Sequence, residues 1–262
     1  MVSRRKWLES YLSDRRQAVV VNAKTSSWHS LPFGVPQGSV LGPILFTMYI
    51  SPLGDLVRQQ NVSYHMYADD TQLYLPFRSN DHESIEIAKS SIEQCVLVIK
   101  KWMASNFLKL NDDKTELLVV HPKHIETPSL RSIAVGDEVI NPSECTRNID
   151  AMLDQNLNME QQITTICKSA FLHIRNIRKV RKYLPQHAAE TVVNASVTSR
   201  LDNCNALLLG LPKNLLQKLQ YVQNSAARLI MGTNKRDHIR PVLKKRHWLP
   251  IDNRIVFKSQ FL

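Results

Sequence analysis

No apolar run in the 262-residue chain approaches the ~20 residues that a membrane-spanning helix needs. The segment Met1–Arg16 is too charged for the apolar region of a secretory leader. The expectation is an intracellular protein with no membrane partner. Cysteine is sparse: Cys95, Cys145, Cys167 and Cys204 lie far apart, with no CxxC pair and no Cys/His cluster. That argues against a zinc site and against a disulfide framework. Repeats and low-complexity segments are missing as well. Acidic residues become scarce in the last part of the chain. Residues 161–262 carry 18 Lys and Arg against 4 Asp and Glu, net +14, whereas residues 1–160 carry 16 against 19, net −3, which together give the +11 of the whole. Such an excess favours a polyanionic partner. Nucleic acid is preferred to a membrane surface because no amphipathic stretch joins a basic face to exposed aromatics.

The composition, 43% hydrophobic and 22% charged, is that of an ordinary globular chain able to bury a core in one large or two small domains. Its texture changes near Asn156, from short β-rich runs with turn signals to long helical patterns. The expected organisation is therefore residues 1–155 and residues 156–262. In the first part, Ser3–Ser13 reads as a helix and Gln17–Asn22 as a strand. Phe33–Leu53, FGVPQGSVLGPILFTMYISPL, reads as a loop followed by an apolar helix, with Ser39 as N-cap and Pro52 as terminator. Two β-prone runs, Val62–Tyr67 and Thr71–Phe77, flank Asp69 and Asp70 and predict a hairpin. Ile85, Ala88, Ile92, Val96, Ile99 and Met103 recur at helical spacing as one buried stripe. Glu116–His121 predicts a strand, Ile133–Ile140 a hairpin turning at Gly136-Asp137, and Asn148–Leu153 a last strand. The class is α+β with an antiparallel sheet.

Adjacent carboxylates repel, and in YADDTQLY, Tyr67–Tyr74, they would by themselves suggest only a surface turn. Their setting changes that reading. A hairpin tip bearing two carboxylates, preceded by a Gly/Pro/Gln loop that opens a helix, suits divalent-metal phosphoryl transfer. Mg²⁺ takes hard oxygen ligands, and a cation between the carboxylates relieves their repulsion. Glycines in the loop let its backbone approach a base or nucleotide closely.

GVPQGSVLGPILF, YADDTQLY and LKLNDDKTELL, in this order, resemble the motifs of reverse transcriptases, specifically those of non-long-terminal-repeat (LINE-type) retrotransposons. The similarity extends to WLESYLSDRRQAVVVN before these motifs, and to NASVTSRLDNCNALLLGLP and LQYVQNSAARLI after them. The resemblance implies a right-hand polymerase palm followed by a helical, thumb-like region. It also implies RNA-templated addition of deoxynucleoside triphosphates to a DNA primer, with Mg²⁺ or Mn²⁺ as cofactor and a nuclear location. Asp69 and Asp70 correspond to the family's metal-binding pair, with Tyr67 and Ala68 shaping the tip. Pro36, Gln37, Gly38 and Ser39 match the loop that contacts templating base and incoming nucleotide. Lys114 matches the lysine assigned to protonate the leaving pyrophosphate; read from its own surroundings, it is equally a solvated lysine in a turn.

Two departures accompany the resemblance. The family carries a further catalytic aspartate, and the aromatic that excludes the wrong sugar, on a strand upstream of WLESYL, and Met1 follows both. A truncated chain, inactive alone, is the expectation. In RNIDAMLD, Asp150 stands where the family usually has glycine, at a strand that grips the primer. An anion there would repel phosphate.

In the basic part, a helix over Ile163–Lys182 places Lys168, Arg175, Lys179 and Lys182 on one side and Ile163, Ile166, Ala170, Ile174 and Ile177 opposite. The basic side suits the backbone of nucleic acid, or is a solvated face; Arg178 and Arg181 blur the pattern. Leu215, Leu219, Val222, Ala226 and Leu229 form another apolar stripe. Lys244–Trp248, KKRHW, is a charged and aromatic cluster that either touches nucleic acid or is surface. A non-catalytic nucleic-acid-binding remnant is the alternative to a polymerase fragment.

Overall fold

The computed structural model describes residues 4–32, 34–35, 38–125, 128–136, 138–234 and 236–260. They group into two compact units, residues 1–76 with 90–110, and residues 77–89 with 111–262.

In the first unit, Arg4–Leu12 is helix α1, on which Trp7 stacks against Tyr11. The strand expected over Gln17–Asn22 breaks in two. Arg16–Gln17 (β1) pairs with His29–Ser30 (β4), and Val20–Val21 (β2) with Lys24–Thr25 (β3). Between them Val19 is tied to Ser26, whose hydroxyl accepts its N–H at 3.0 Å and whose N–H donates to its carbonyl at 2.9 Å. Asn22 and Ala23 then reverse the chain with φ of 48° and 61°, as a two-residue hairpin turn requires.

Gly42–Gln59 forms helix α2, with Leu41 rather than Ser39 at its N-cap, and it runs through Pro52. The expectation that Pro52 ends this helix is wrong for an energetic reason. A proline inside a helix costs about 3 kcal/mol, but Leu53 and Val57 beyond it are buried, and each buried side chain of that size contributes about 1.5–3 kcal/mol. Pro52 itself stays on the exposed side. Ser63–Tyr67 (β5) and Asp70–Tyr74 (β6) then form an antiparallel hairpin. Their inward residues Tyr64, Met66 and Leu73 pack on a cluster of Ile50, Leu53, Val57, Val62, Cys95 and Ile99. Cys95 and Ile99 come from helix α3, His82–Ser105, which carries the predicted stripe: Ile85, Ala88, Val96 and Ile99 are buried, Ile92 and Met103 half-buried. Asp81 caps it, accepting the N–H groups of Glu83 and Ser84 at 3.1 and 3.2 Å.

In the second unit, Asp112–Lys114 is a short 3₁₀ turn. The strand expected over Glu116–His121 does not form; only Leu117 bridges to Pro142. Pro142 has no N–H to donate to a ladder. The segment is instead pinned at points: Ser143 N–H to the Leu117 carbonyl at 2.8 Å, His121 N–H to Gln155 at 2.9 Å, and the Asn156 amide to the His121 carbonyl at 3.0 Å. Ile133–Val135 (β7) and Glu138–Ile140 (β8) make the predicted hairpin, with Gly136 at φ 69° and Asp137 outside the described residues. The strand expected over Asn148–Leu153 is in fact part of a second hairpin, Cys145–Asn148 (β9) against Ala151–Asp154 (β10), turning at Ile149-Asp150. Among the described residues each strand has one partner, in five two-stranded sheets, so the class is α+β but the antiparallel pairing is in separate ribbons.

The helices follow. Asp154 is buried and accepts the N–H groups of Asn156, Asn158 and Met159 at 3.1, 3.0 and 2.9 Å, closing the turn that starts Glu160–Val180 (α4). Next come Gln186–Val193 (α5), a π-helical stretch Asn194–Thr198, Ser199–Asp202 (α6), Lys213–Met231 (α7), Ile239–Lys245 (α8) and Ile251–Ser259 (α9). The stripes predicted on α4 and α7 are buried together in one core. Arg181 proves structural: its guanidinium donates to the carbonyls of Leu229 and Ile230 at 2.8 and 2.7 Å, satisfying the end of α7 before Gly232. Asp202 and Arg254 form a bidentate pair that ties α6 to α9. Within the KKRHW cluster, Arg246 pairs with Glu190 and Trp248 packs against the core, which leaves Lys244 and Lys245 as its exposed cations.

Candidate functional site

The hairpin β5–β6 turns on Ala68 and Asp69, with Tyr67 opposite Asp70 in the last register pair. The corner is thus one residue earlier than Asp69-Asp70, and Asp70 is the first residue of β6. Ala68 has φ 52°, in the left-handed region that a tight hairpin demands at this point and that few side chains tolerate. Tyr67, Ala68, Asp69 and Asp70 are all exposed, so the two carboxylates face solvent from one hairpin end.

Contact with α2 sets where this hairpin lies. At Gly54 a Cβ would meet the Tyr64 hydroxyl at 2.5 Å and its ring at 3.0 Å, so only glycine lets Tyr64 of β5 approach the helix this closely. Arg58, one turn further along α2, places its guanidinium 5.7 Å from the Tyr64 ring centre.

Of the loop before α2, Gly38 has φ 81° with open space around its Cβ position, and Ser39 is half-buried with its hydroxyl unpaired. Pro36 and Gln37 lie outside the described residues. Lys114 is exposed at the end of the 3₁₀ turn in the second unit. The structure therefore brings Asp69, Asp70, Tyr67 and Ala68 together in the first unit, and Lys114 belongs to the other.

Asp150 has φ 64° and Ile149 φ 42°, the two central positions of the β9–β10 turn. Glycine, which the resemblance implies at this position, suits a backbone with positive φ. Aspartate is among the side chains that enter this region most readily, and Asp150 pairs with Arg147 across the turn. The departure at Asp150 thus has a conformational explanation, and its charge is matched locally.

On α4, Lys168, Arg175 and Lys179 are exposed opposite the buried stripe, and Lys182 in the following turn lies with its ammonium 4.7 Å from the ring centre of exposed Tyr183. The expectation that no amphipathic stretch joins a basic face to exposed aromatics does not hold on α4, where sequence reasoning missed an aromatic component. Phe171 and Leu172 of α4 and Tyr221 of α7 are 41, 53 and 59% exposed, and with Lys168, Arg175 and Lys218 they line a groove between the two helices. The available signal was Lys218 and Tyr221, three apart on the polar side of α7. Cys167 also lines this groove; burial pushes its thiol up, and Lys218 opposes the shift.

Residues 1–142 match the family described as reverse transcriptase (RNA-dependent DNA polymerase). The chain belongs to the reverse transcriptase family. Its relatives place it with the enzymes of non-long-terminal-repeat retrotransposons. It is 26% identical over 165 residues to the RNA-directed DNA polymerase from mobile element jockey of Drosophila melanogaster, covering 61% of this chain and 17% of the relative. It is 25% identical over 239 residues to the probable RNA-directed DNA polymerase from transposon X-element of the same organism, covering 86% of this chain and 24% of the relative. The corresponding polymerase from transposon BS is 25% identical over 236 residues, 85% of this chain and 25% of the relative. The chain thus spans a quarter or less of the length of these curated relatives. No helix among the described residues is long and apolar enough to cross a membrane.

Proposed function

We propose that this reverse transcriptase chain carries the metal-binding hairpin of a palm and part of the nucleic-acid grip for RNA-templated extension of a DNA primer. The observation behind this reading is the pair Asp69 and Asp70 at the exposed end of a two-residue hairpin inside the family match. Their hard oxygen donors fit Mg²⁺, which binds one or two carboxylates together with substrate phosphates. Bound there, Mg²⁺ supplies stabilisation of negative charge on the attacking 3′-oxygen and the leaving pyrophosphate. Mn²⁺ suits the same donors.

The remaining roles fall to the chain's own side chains. Asp69 and Asp70 hold the cation, and Ala68, with only a methyl group, leaves space for the primer end beside Tyr67. Pro36, Gln37, Gly38 and Ser39 bound the template base and nucleotide. Lys114 gives a proton to the departing pyrophosphate. Lys168, Arg175, Lys179 and Lys182 follow the nucleic-acid backbone, their charge screened by salt. A nuclear location accords with a DNA primer.

Polymerisation by the 262 residues alone is not expected. Asp69 and Asp70 approach a cation from one hairpin end, and two carboxylates would leave Mg²⁺, which dehydrates reluctantly, mostly hydrated. Asp55 is engaged by Arg58, and Asp81 caps α3. The test is Mn²⁺ electron paramagnetic resonance with a template–primer and a nucleotide, run beside primer extension. Mn²⁺ binding that disappears in Asp69→Asn, with extension at background, is the expected result. Mn²⁺ binding indifferent to Asp69→Asn and Asp70→Asn would remove the metal role. Extension that depends on Asp69 would show that two carboxylates suffice.

A further inference from the structure

The groove between α4 and α7 has a volume of about 950 Å³, and its lining mixes aromatic rings with cations. Phe171 and Tyr221 are large rings left 41 and 59% exposed on helices whose other faces supply the core. Lys168, Arg175 and Lys218 stand around them. Acidic residues are excluded: α4 has none after Glu160, and α7 has none at all. An apolar ligand would use the rings but gain nothing from three cations. A second copy of the same surface would set like charges against each other.

A strand of unpaired nucleotides uses both features. Its phosphates meet the cations, and its bases offer flat faces to the rings. Bases within a duplex are already stacked on one another and offer no free face, so a duplex would engage only the charges. We propose that the α4–α7 groove binds single-stranded nucleic acid by stacking bases on Phe171 and Tyr221, with Lys168, Arg175 and Lys218 holding the phosphates. This rests on the nucleic-acid reading of α4 given above and specifies the form of strand.

The experiment is fluorescence anisotropy of the full chain with a labelled short oligouridylate and with a blunt RNA duplex, at one moderate salt concentration. Phe171→Ala and Tyr221→Ala should each weaken oligouridylate binding roughly tenfold, the size of lost base stacking. Duplex binding should stay within about twofold, because no duplex base can stack on the rings. Tyr221→Phe keeps the ring and should bind as the parent does. The triple change Lys168→Gln, Arg175→Gln and Lys218→Gln should weaken both ligands. All these side chains are exposed, and unchanged thermal melting confirms that each variant is folded. On the unaltered chain, photocrosslinking with an oligomer containing 5-iodouridine should label Phe171 or Tyr221.

If the alanine variants bind oligouridylate as the parent does while the triple change weakens both ligands, stacking is overturned and the nucleic-acid reading of α4 survives. If neither ligand binds, both fail. Crosslinks confined to residues outside the groove overturn the proposal, as does retention on anionic vesicles that oligouridylate does not reduce.

Discussion

The two compact units bury their hydrophobic residues very differently. Around the β5–β6 hairpin, a cluster of six buried residues among those described holds α2, α3 and the two strands together, while Val19, Val20, Val21, Trp28, Ile44 and Met48 stay exposed. Among the C-terminal helices, nineteen buried residues form one continuous cluster. Asp69, Asp70, Gly38 and Ala68, the residues to which the resemblance assigns roles, all lie exposed where packing is thin. In α4 and α7 almost any residue of suitable size and polarity would keep the core, provided the period is kept.

Core truncation should separate the units most strongly. Leu219→Ala empties a site that is 1% exposed, and removal of a buried leucine typically costs about 2–5 kcal/mol. Val20→Ala, at a position 65% exposed, should stay within about 0.5 kcal/mol. Thermal denaturation followed by circular dichroism measures both. Equal effects would mean that the exposed valines of the first unit are covered in solution.

A smaller effect is expected where the first unit is packed most tightly. Alanine normally improves a helix interior over glycine by about 0.5–1 kcal/mol, but at Gly54 its Cβ would collide with Tyr64. Gly54→Ala should therefore destabilise by about 1–3 kcal/mol, the usual cost of overpacking. Adding Tyr64→Phe removes the atom 2.5 Å away and should recover part of the loss, although the ring carbon at 3.0 Å remains. A stabilising Gly54→Ala would show that the hairpin does not rest on α2.

The smallest effect belongs to the β9–β10 turn. Asp150→Ala places a less tolerant residue at φ 64° and removes the pair with Arg147, for a loss of about 1 kcal/mol. Asp150→Gly relieves the backbone as it removes the same exposed pair, so the change should be near zero by urea denaturation. A loss with glycine as large as with alanine would assign the stability to the ion pair instead of to φ.

Periodicity made α3, α4 and α7 legible, because a 3.6-residue repeat of apolar side chains has no other low-energy use over such lengths. The carboxylate hairpin is legible from its flanking β-formers, although its corner lies one residue before Asp69-Asp70. Ala68 gives no turn signal, and Asp69-Asp70 does. Ile149 likewise carries strand propensity where the chain makes a hairpin turn. Glu116–His121 has the composition of a strand but faces Pro142, a fact of tertiary structure that local propensity cannot contain. Pro52 signals a helix end by its local cost alone, and burial of Leu53 and Val57 beyond it outweighs that cost. Arg181, Arg246 and Trp248 look like surface in the sequence because their partners, Leu229 and Ile230, Glu190, and the helical core, are distant along the chain. The groove aromatics were missed because Phe171 and Tyr221 lie on different helices.

The proposed division of labour puts metal chemistry on the hairpin of the first unit and the nucleic-acid grip on the helices of the second. Its most direct test is the salt dependence of template–primer binding, by fluorescence anisotropy, for the parent chain, for Asp69→Asn with Asp70→Asn, and for the quadruple change of Lys168, Arg175, Lys179 and Lys182 to Gln. The double aspartate change should leave affinity and salt slope as they are. The quadruple change should weaken binding at low salt and flatten the logarithmic salt slope by about 3, since each lost phosphate contact removes roughly 0.7–0.9. A quadruple variant with the parent's affinity and slope would show that these four cations do not hold nucleic-acid phosphates.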